Sequence, residues 1–327
     1  MPNTIQLERP CRDVVSFAIP TPFPVGDVNV YLLEGDRLTL IDTGPRTDEA
    51  WDVLISGFQA AGYRLSDLKQ IVLTHFHEDH TGLAYRLRQE TGAKVLAHPG
   101  TAVWLREEPW FVEWRNRFFR DLYARAGLLP TQIELIMTAY QALRTFGHPC
   151  EVDEVLADGA VLPSHPDWRV VYTPGHSQTQ LSLYRAADQT MILADHLIAH
   201  ISSNAFLEPS VRPDEERVKP LIQYRAELQK LKRLPIRLGL PGHGEPIFEH
   251  AALIDKRFES QERRGETIVE LLAERERTAL ELALELFPKH QDQLPLVLSE
   301  TIGHLDWLEA EGRITKTTRD GVDRFSA

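Results

Sequence analysis

The sequence predicts an α/β layered domain that carries a helical insert and ends in a small helical, winged-helix-like tail. Three observations point there. Up to about residue 100, short runs rich in Val, Ile and Leu alternate with stretches of helical periodicity. That rhythm is broken over about 101–146, where two or three helices fit. From about residue 250 the pattern is nearly continuous helix, closed by a short hairpin. The expected organisation is a main domain over 1–250, with the insert inside it, and a C-terminal domain over 251–327.

The elements follow in order. Residues 14–19, 28–33 and 38–41 read as consecutive strands separated by Pro, Gly and Asp, the first two joined by the rigid Pro20–Pro24 stretch. Ala50, Val53, Leu54 and Phe58 set an amphipathic helix over 47–61 that stops at Gly62. A buried strand, Gln70–Thr74, runs into His-Phe-His-Glu-Asp-His. A helix over 81–91 is expected next, with Thr81 as N-cap and Gly92 as its stop, and then the strand Lys94–His98. The insert divides near Gly127–Pro130 and holds Trp104, Trp110 and Trp114, half of the six tryptophans. Strands resume near 155–157, 168–172, 181–184 and 190–194. A helix over 214–232 and a strand over 236–240 come next. The tail reads as helix to 287, with a Thr278/Glu281 capping box and a stop at Pro288, then helix over 294–311. Strands at 314–318 and 322–325 flank an Asp-Gly turn.

Composition narrows the classes of function. The 36 Lys and Arg against 48 Asp and Glu give a formal net charge of -12, which repels polyanions and disfavours nucleic acid as the main partner. A small-molecule substrate fits that balance better. Two cysteines, Cys11 and Cys150, make no disulfide scaffold and suit a reducing compartment. No basic segment followed by an apolar run opens the chain, and no stretch is long enough to span a membrane. No membrane association is expected, and the cytoplasm is the expected location.

The chemistry is concentrated in Thr74-His-Phe-His-Glu-Asp-His-Thr-Gly82. Three histidines and one aspartate, His75, His77, Asp79 and His80, fall within six residues. Clustered imidazoles beside carboxylate are costly to bury unless they bind something, and zinc favours these donors. The i, i+2 spacing of His75 and His77 points both the same way from an extended segment. Further donors sit at strand ends, where ligands gather in layered sheets: His176 in Thr-Pro-Gly-His-Ser, Asp195 in Ile-Leu-Ala-Asp-His and His243 in Pro-Gly-His-Gly. The eight other histidines read as structural or solvated.

Taken in order, these motifs resemble those of the metallo-β-lactamase superfamily, close to its glyoxalase II-like hydrolases, over roughly residues 14–250. The resemblance implies an αββα sandwich with the metals at one sheet edge. It implies two divalent metal ions, zinc first, with iron or manganese as alternatives. By it, His75, His77 and His176 hold one metal, Asp79, His80 and His243 the other, and Asp195 bridges them. Asp42, in Ile41-Asp-Thr-Gly44, supports the ligand loop from behind. The implied reaction is hydrolysis of an ester, thioester or lactone by a metal-bridging hydroxide, with Asp79 passing a proton to the leaving group. One departure stands out: many relatives carry a further Gly-His pair where this chain has Gln178-Thr-Gln180.

Rival readings are a persulfide dioxygenase with a single iron, a phosphodiesterase or ribonuclease, and a non-catalytic sensor. Diiron oxidoreductases of the superfamily usually place Glu where His77 stands. The aromatic insert reads as a lid over an apolar pocket, or as core or a dimer face. The winged-helix layout occurs in nucleases, but the 294–311 helix carries Glu300, Asp306, Glu309 and Glu311 and no Lys or Arg, so closure of the pocket or homodimerisation is expected of the tail instead.

Overall fold

Residues 6–327 are described by a computed structural model, so the first five residues of the segment read for a signal lie outside the described part. Strand β1 (Glu8–Cys11) precedes the first apolar runs, which form β2 (Val14–Ile19), β3 (Val28–Leu33) and β4 (Leu38–Ile41), and all four pair antiparallel in order. Helix α1 (Asp48–Ala60) crosses to the parallel strand β5 (Leu68–Leu73). Thr47 caps α1 by accepting from Ala50 N at 3.0 Å. A Cβ on Gly57 would come within 2.4 Å of the Phe17 ring, so glycine lets α1 lie close on β2. After β5 the short helix α2 (Glu78–Thr81) and α3 (Ala84–Thr91) lead to β6 (Lys94–Ala97). The insert is three helices, α4 (Pro99–Arg106), α5 (Pro109–Ala126) and α6 (Pro130–Arg144), before β7 (Glu154–Val155) closes a seven-stranded sheet in the order β1 to β7.

The second sheet is built from β8 (Val161–Leu162), β9 (His165–Tyr172), β10 (Leu181–Arg185), β11 (Thr190–Ala194) and, beyond helix α7 (Pro220–Leu231), β12 (Leu238–Pro241). Its order is β12-β11-β10-β9-β8. The sheets face each other across a core of Leu33, Ile41, Val72, Leu96, Trp168, Leu183, Ile192 and Leu240. On the outside of the first sheet, Leu54, Phe58 and Leu87 bring α1 and α3 onto it. On the outside of the second, Met191 and Leu193 pack with α7, with the insert (Tyr123, Ile133, Met137) and with the C-terminal helices. Helix, sheet, sheet, helix is the expected αββα layering.

The tail consists of α8 (His250–Glu274), α9 (Ala279–Leu286), α10 (Leu294–Ala310) and the hairpin β13 (Thr315–Arg319) and β14 (Val322–Ser326). Its turn residues Asp320 and Gly321 both have positive φ, 52° and 79°, as an Asp-Gly hairpin turn requires. Among the described residues no helix is long and apolar enough to cross a membrane.

Several boundaries move. Thr81 is the last residue of α2 and caps nothing; its hydroxyl donates to His77 O at 3.0 Å, closing the metal-rich turn on itself. The helix expected from 214 starts at Pro220, where proline suits the first turn. The helix expected to run to 287 is broken between α8 and α9, because Arg277 leaves the helix to pair with Phe325 of β14 (2.9 and 3.0 Å). The Thr278/Glu281 capping box then restarts it. Strands β1 and β8 are not among the expected elements, being short and partly exposed.

Candidate metal centre

All seven residues singled out as ligand candidates lie together where strand ends of both sheets converge. β5 delivers Thr74 and the His75–His80 turn, while β9, β11 and β12 lead into His176, Asp195 and His243. His75 Nε2 lies 2.9 Å from His77 Nδ1, and His176 Nε2 lies 3.2 Å from the same atom. On the other side, His243 Nε2 is 3.4 Å from Asp79 Oδ2, and His80 Nε2 is 3.8 Å from it. Asp195 sits between the two groups: Oδ1 is 3.4 Å from His80, and Oδ2 is 3.5 Å from His243 and 3.6 Å from His176. Three such sets, His75/His77/His176, His75/His80/Asp195 and Asp79/His80/His243, each bring their donor atoms within 4.8 Å of one another.

The outward nitrogens explain why the inward ones face the centre. His80 Nδ1 donates to Asp42 Oδ2 at 2.8 Å, His243 Nδ1 to Asp27 O at 2.8 Å, and His176 Nδ1 to Asn204 O at 3.0 Å. Thr74 Oγ1 donates to Asp42 Oδ2 at 2.8 Å, so it can only accept from His75 Nδ1 at 3.0 Å. Each of these four rings is thus turned with Nε2 inward, the arrangement outer partners impose on metal-binding histidines. Asp42 also accepts from Thr74 N at 2.8 Å, and does all this from a left-handed backbone, φ 59°. That conformation is strained for a side-chain-bearing residue but tolerated by aspartate.

The electrostatics call for positive charge. Burial opposes protonation of His80, yet Asp195, Asp79 and Asp42 outweigh it and hold the ring well above the ordinary histidine value. His243 is likewise pushed up to about 10: burial works against it, and Asp195 and Asp79 prevail. Burial would raise Asp195, but His243 and His80 keep it well below the usual carboxylate range. His75 and His176 go the other way, His176 to about 3, through burial first. His80 Nε2, His243 Nε2 and Asp195 Oδ1 are buried with no hydrogen-bond partner among the described residues. Buried ring nitrogens and carboxylates that converge without well-formed hydrogen bonds fit a bound cation, whose charge would take the place of the ring protons. Gly242 is part of that fit, since a Cβ there would lie 2.0 Å from Asp195 Oδ1.

Two residues of the site were given no role by the sequence. Glu208, 5% exposed, places Oε1 3.7 Å from His77 Nε2, and its Oε2 accepts from Gln178 N at 2.9 Å. It comes from an irregular loop with no motif around it. Glu78, between the ligands, pairs with the half-buried Arg144 of α6, which also holds Glu107 at 2.7 Å. The aromatic insert is mostly a buttress. Trp104 stacks on Phe76, ring centroids 3.7 Å apart, directly behind the ligand turn, whereas Trp110 is 45% exposed. Trp114 Nε1 donates to Ser210 O at 2.9 Å. Where many relatives have Gly-His, Gln178 has its backbone held by Glu208 and Tyr172 and leaves Nε2 buried without a partner among the described residues.

Comparison with known proteins agrees with this geometry. Residues 23–243 match the Metallo-beta-lactamase superfamily, and residues 266–327 match the family described as Metallo-beta-lactamase-like, C-terminal domain. The chain is 38% identical over 308 residues to the probable metallo-hydrolase YqjP of Bacillus subtilis, covering 93% of this chain and 94% of that protein. It is 22% identical over 253 residues to an atrochrysone carboxyl ACP thioesterase of Aspergillus fumigatus, covering 76% of this chain and 61% of that protein. Among solved structures, a metallo-beta-lactamase family protein from Thermus thermophilus superposes with a TM-score of 0.81 at 28% identity, covering 97% of this chain and 99% of that one. With the superfamily profile extending over well more than half of its length, the chain belongs to the metallo-beta-lactamase superfamily.

Proposed function

We propose that this protein is a binuclear metal-dependent hydrolase of small-molecule esters, thioesters or lactones. The observation that carries the reading is the pair of donor groups, three histidines on one side and Asp79, His80 and His243 on the other, with Asp195 between them within 3.6 Å of both. On this reading His75, His77 and His176 would hold one divalent ion and Asp79, His80 and His243 the second, with Asp195 placed within reach of both groups; zinc suits imidazole and carboxylate donors. When bound, such ions supply Lewis acidity that activates water and polarises the scissile group. Support for hydrolysis comes from the relative named a probable metallo-hydrolase, and for a thioester from the relative named a thioesterase.

The chain's own residues supply the rest. The outer hydrogen bonds from Asp42, Asp27, Asn204 and Thr74 fix four imidazoles, so little reorganisation is needed at the moment of reaction. Asp79 is the proton carrier we favour. Its side chain is 12% exposed, against 7% for Asp195 and 3% for Asp42, so it is the site carboxylate most open to a substrate. Burial would raise its pKa, but His80 and His243 bring it below the ordinary value, so Asp79 starts ionised. A proton it passes to the leaving group is one it first takes from the attacking water.

A panel of thioester, ester, lactone and phosphodiester substrates, offered to zinc-reconstituted wild type and Asp79→Asn, tests this. Expected is turnover in the first three classes, with kcat reduced about 10²–10⁴-fold by the substitution. Turnover of phosphodiesters alone, or oxidation of a persulfide by an iron-loaded protein that hydrolyses nothing, would overturn the reading.

A further inference from the structure

The C-terminal helix α10 reaches the candidate metal centre through one loop. Residues 203–208 are irregular, yet Ser203, Ala205, Leu207 and Glu208 are buried. Their inner side is fastened to the histidine-rich group. Asn204 O accepts from His176 Nδ1 at 3.0 Å, and Phe206 N donates to His176 O at 3.1 Å. The Phe206 ring meets His77 and His176 edge-on, with centroids 5.0 and 5.3 Å away. Glu208 completes the contact at His77 and at Gln178 N.

The outer side is fastened to α10. Asn204 Nδ2 donates to Leu296 O at 2.9 Å, Leu207 N donates to Ser299 Oγ at 2.9 Å, and Ser299 Oγ donates to Ala205 O at 3.1 Å. Ser299 is 4% exposed and takes the part of a neighbouring strand, satisfying one backbone N–H and one carbonyl that water does not reach. His80 and His243 are oriented instead by Asp42 and Asp27, from the N-terminal half of the chain. His176 and His77 are therefore contacted from the α10 side, whereas His75, held through Thr74, shares the Asp42 support of His80.

We propose that α10 is a positioning element for the His75/His77/His176 group, and that Ser299 acts as a positioning residue through the 203–208 loop. This rests on the metal-binding reading above and gives the C-terminal domain a part in building the site. The test uses the full-length protein in two backgrounds. His243→Ala leaves the three-histidine group intact, and His77→Ala leaves the Asp79/His80/His243 group intact. Cobalt(II) titrations followed by absorption then report each group separately. Ser299→Ala is expected to weaken cobalt binding about 10-fold or more in the His243→Ala background, the scale on which outer partners tune ligands, and to leave it unchanged in the His77→Ala background. Asn204→Ala, which removes the tie to Leu296 but keeps the carbonyl on His176, should act in the same direction and serves if Ser299→Ala does not fold. Thr301→Ala removes a buried hydroxyl of the same helix that donates to Val297 O within the helix; it should lower Tm without changing either affinity. Unchanged affinity in both backgrounds for Ser299→Ala and Asn204→Ala, or equal losses in both, would overturn the proposal while leaving the metal reading intact. A wild-type protein that binds no cobalt would overturn both.

Discussion

Asp42 concentrates three jobs in one carboxylate. It accepts from Thr74 N, from Thr74 Oγ1 and from His80 Nδ1, all at 2.8 Å, and so ties the end of β5 to a ring of the centre. Asp42→Ala should weaken metal binding about 10–100-fold, measured by competition against a chelator of known affinity; wild-type affinity in that variant would show that Asp42 is no more than a turn residue. His304 is a different case, buried in α10 with Nδ1 donating to Glu300 O at 2.8 Å and Nε2 unpartnered among the described residues. Burial holds its pKa below the ordinary 6.5. Its folded value is depressed, so the unfolded chain takes up the proton first, and His304 costs stability as pH falls below about 6.5. In His304→Gln the loss of Tm between pH 7.5 and 5.5 should be smaller than in wild type, and an equal loss would contradict the assignment. At this scale the sequence was legible where donors are crowded or flanked by turn residues at strand ends, as His75 to His80, His176 and His243 are. Glu208 was not legible, because only the folded path of an irregular loop puts it beside His77.

Among the elements, the insert shows how a composition signal separates into distinct roles. Trp104 and Phe111 are buried with Phe76 behind the ligand turn, while the Trp110 indole turns to solvent and donates to Glu108 at 2.7 Å. Trp104→Ala should cost about 3–5 kcal/mol as a buried aromatic truncation, and Trp110→Ala should stay within about 0.5 kcal/mol as a surface change. Denaturant midpoints check both, and the reverse ranking would overturn the buttress description. Periodicity and proline or glycine punctuation made the helices themselves readable, including the stops at Gly92 and Gly127, both left-handed. They could not show which aromatic faces inward, since that depends on what the helix meets. The break between α8 and α9 was legible only as the Thr278/Glu281 capping box: the 275–278 segment has no strong breaker, and the strand partner that β14 offers Arg277 is set by the fold.

Over the whole molecule, the tail and the main domain share one apolar cluster, in which Leu298, Leu305 and Trp307 of α10 join Leu193 of the second sheet and Tyr123 of the insert. The acidic character of α10, read from sequence as unsuited to nucleic acid, has a structural purpose: Asp306 pairs with Arg217 at 2.7 Å and Glu300 with Arg264. Most of that helix is buried against the rest of the molecule. The layered fold was legible because both sheets are assembled from short apolar runs in chain order; the tail's role was not, because its contact with the centre passes through residues 203–208. Residue, element and domain all converge on a cation-binding centre, and the most direct measurement is elemental analysis of the purified protein beside His77→Ala and Asp195→Asn. Expected are about two divalent ions per wild-type chain, fewer in His77→Ala and the largest loss in Asp195→Asn, because Asp195 stands between both groups. Wild-type protein that retains no metal after loading and dialysis, or an Asp195→Asn variant that keeps both ions at wild-type affinity, would contradict it.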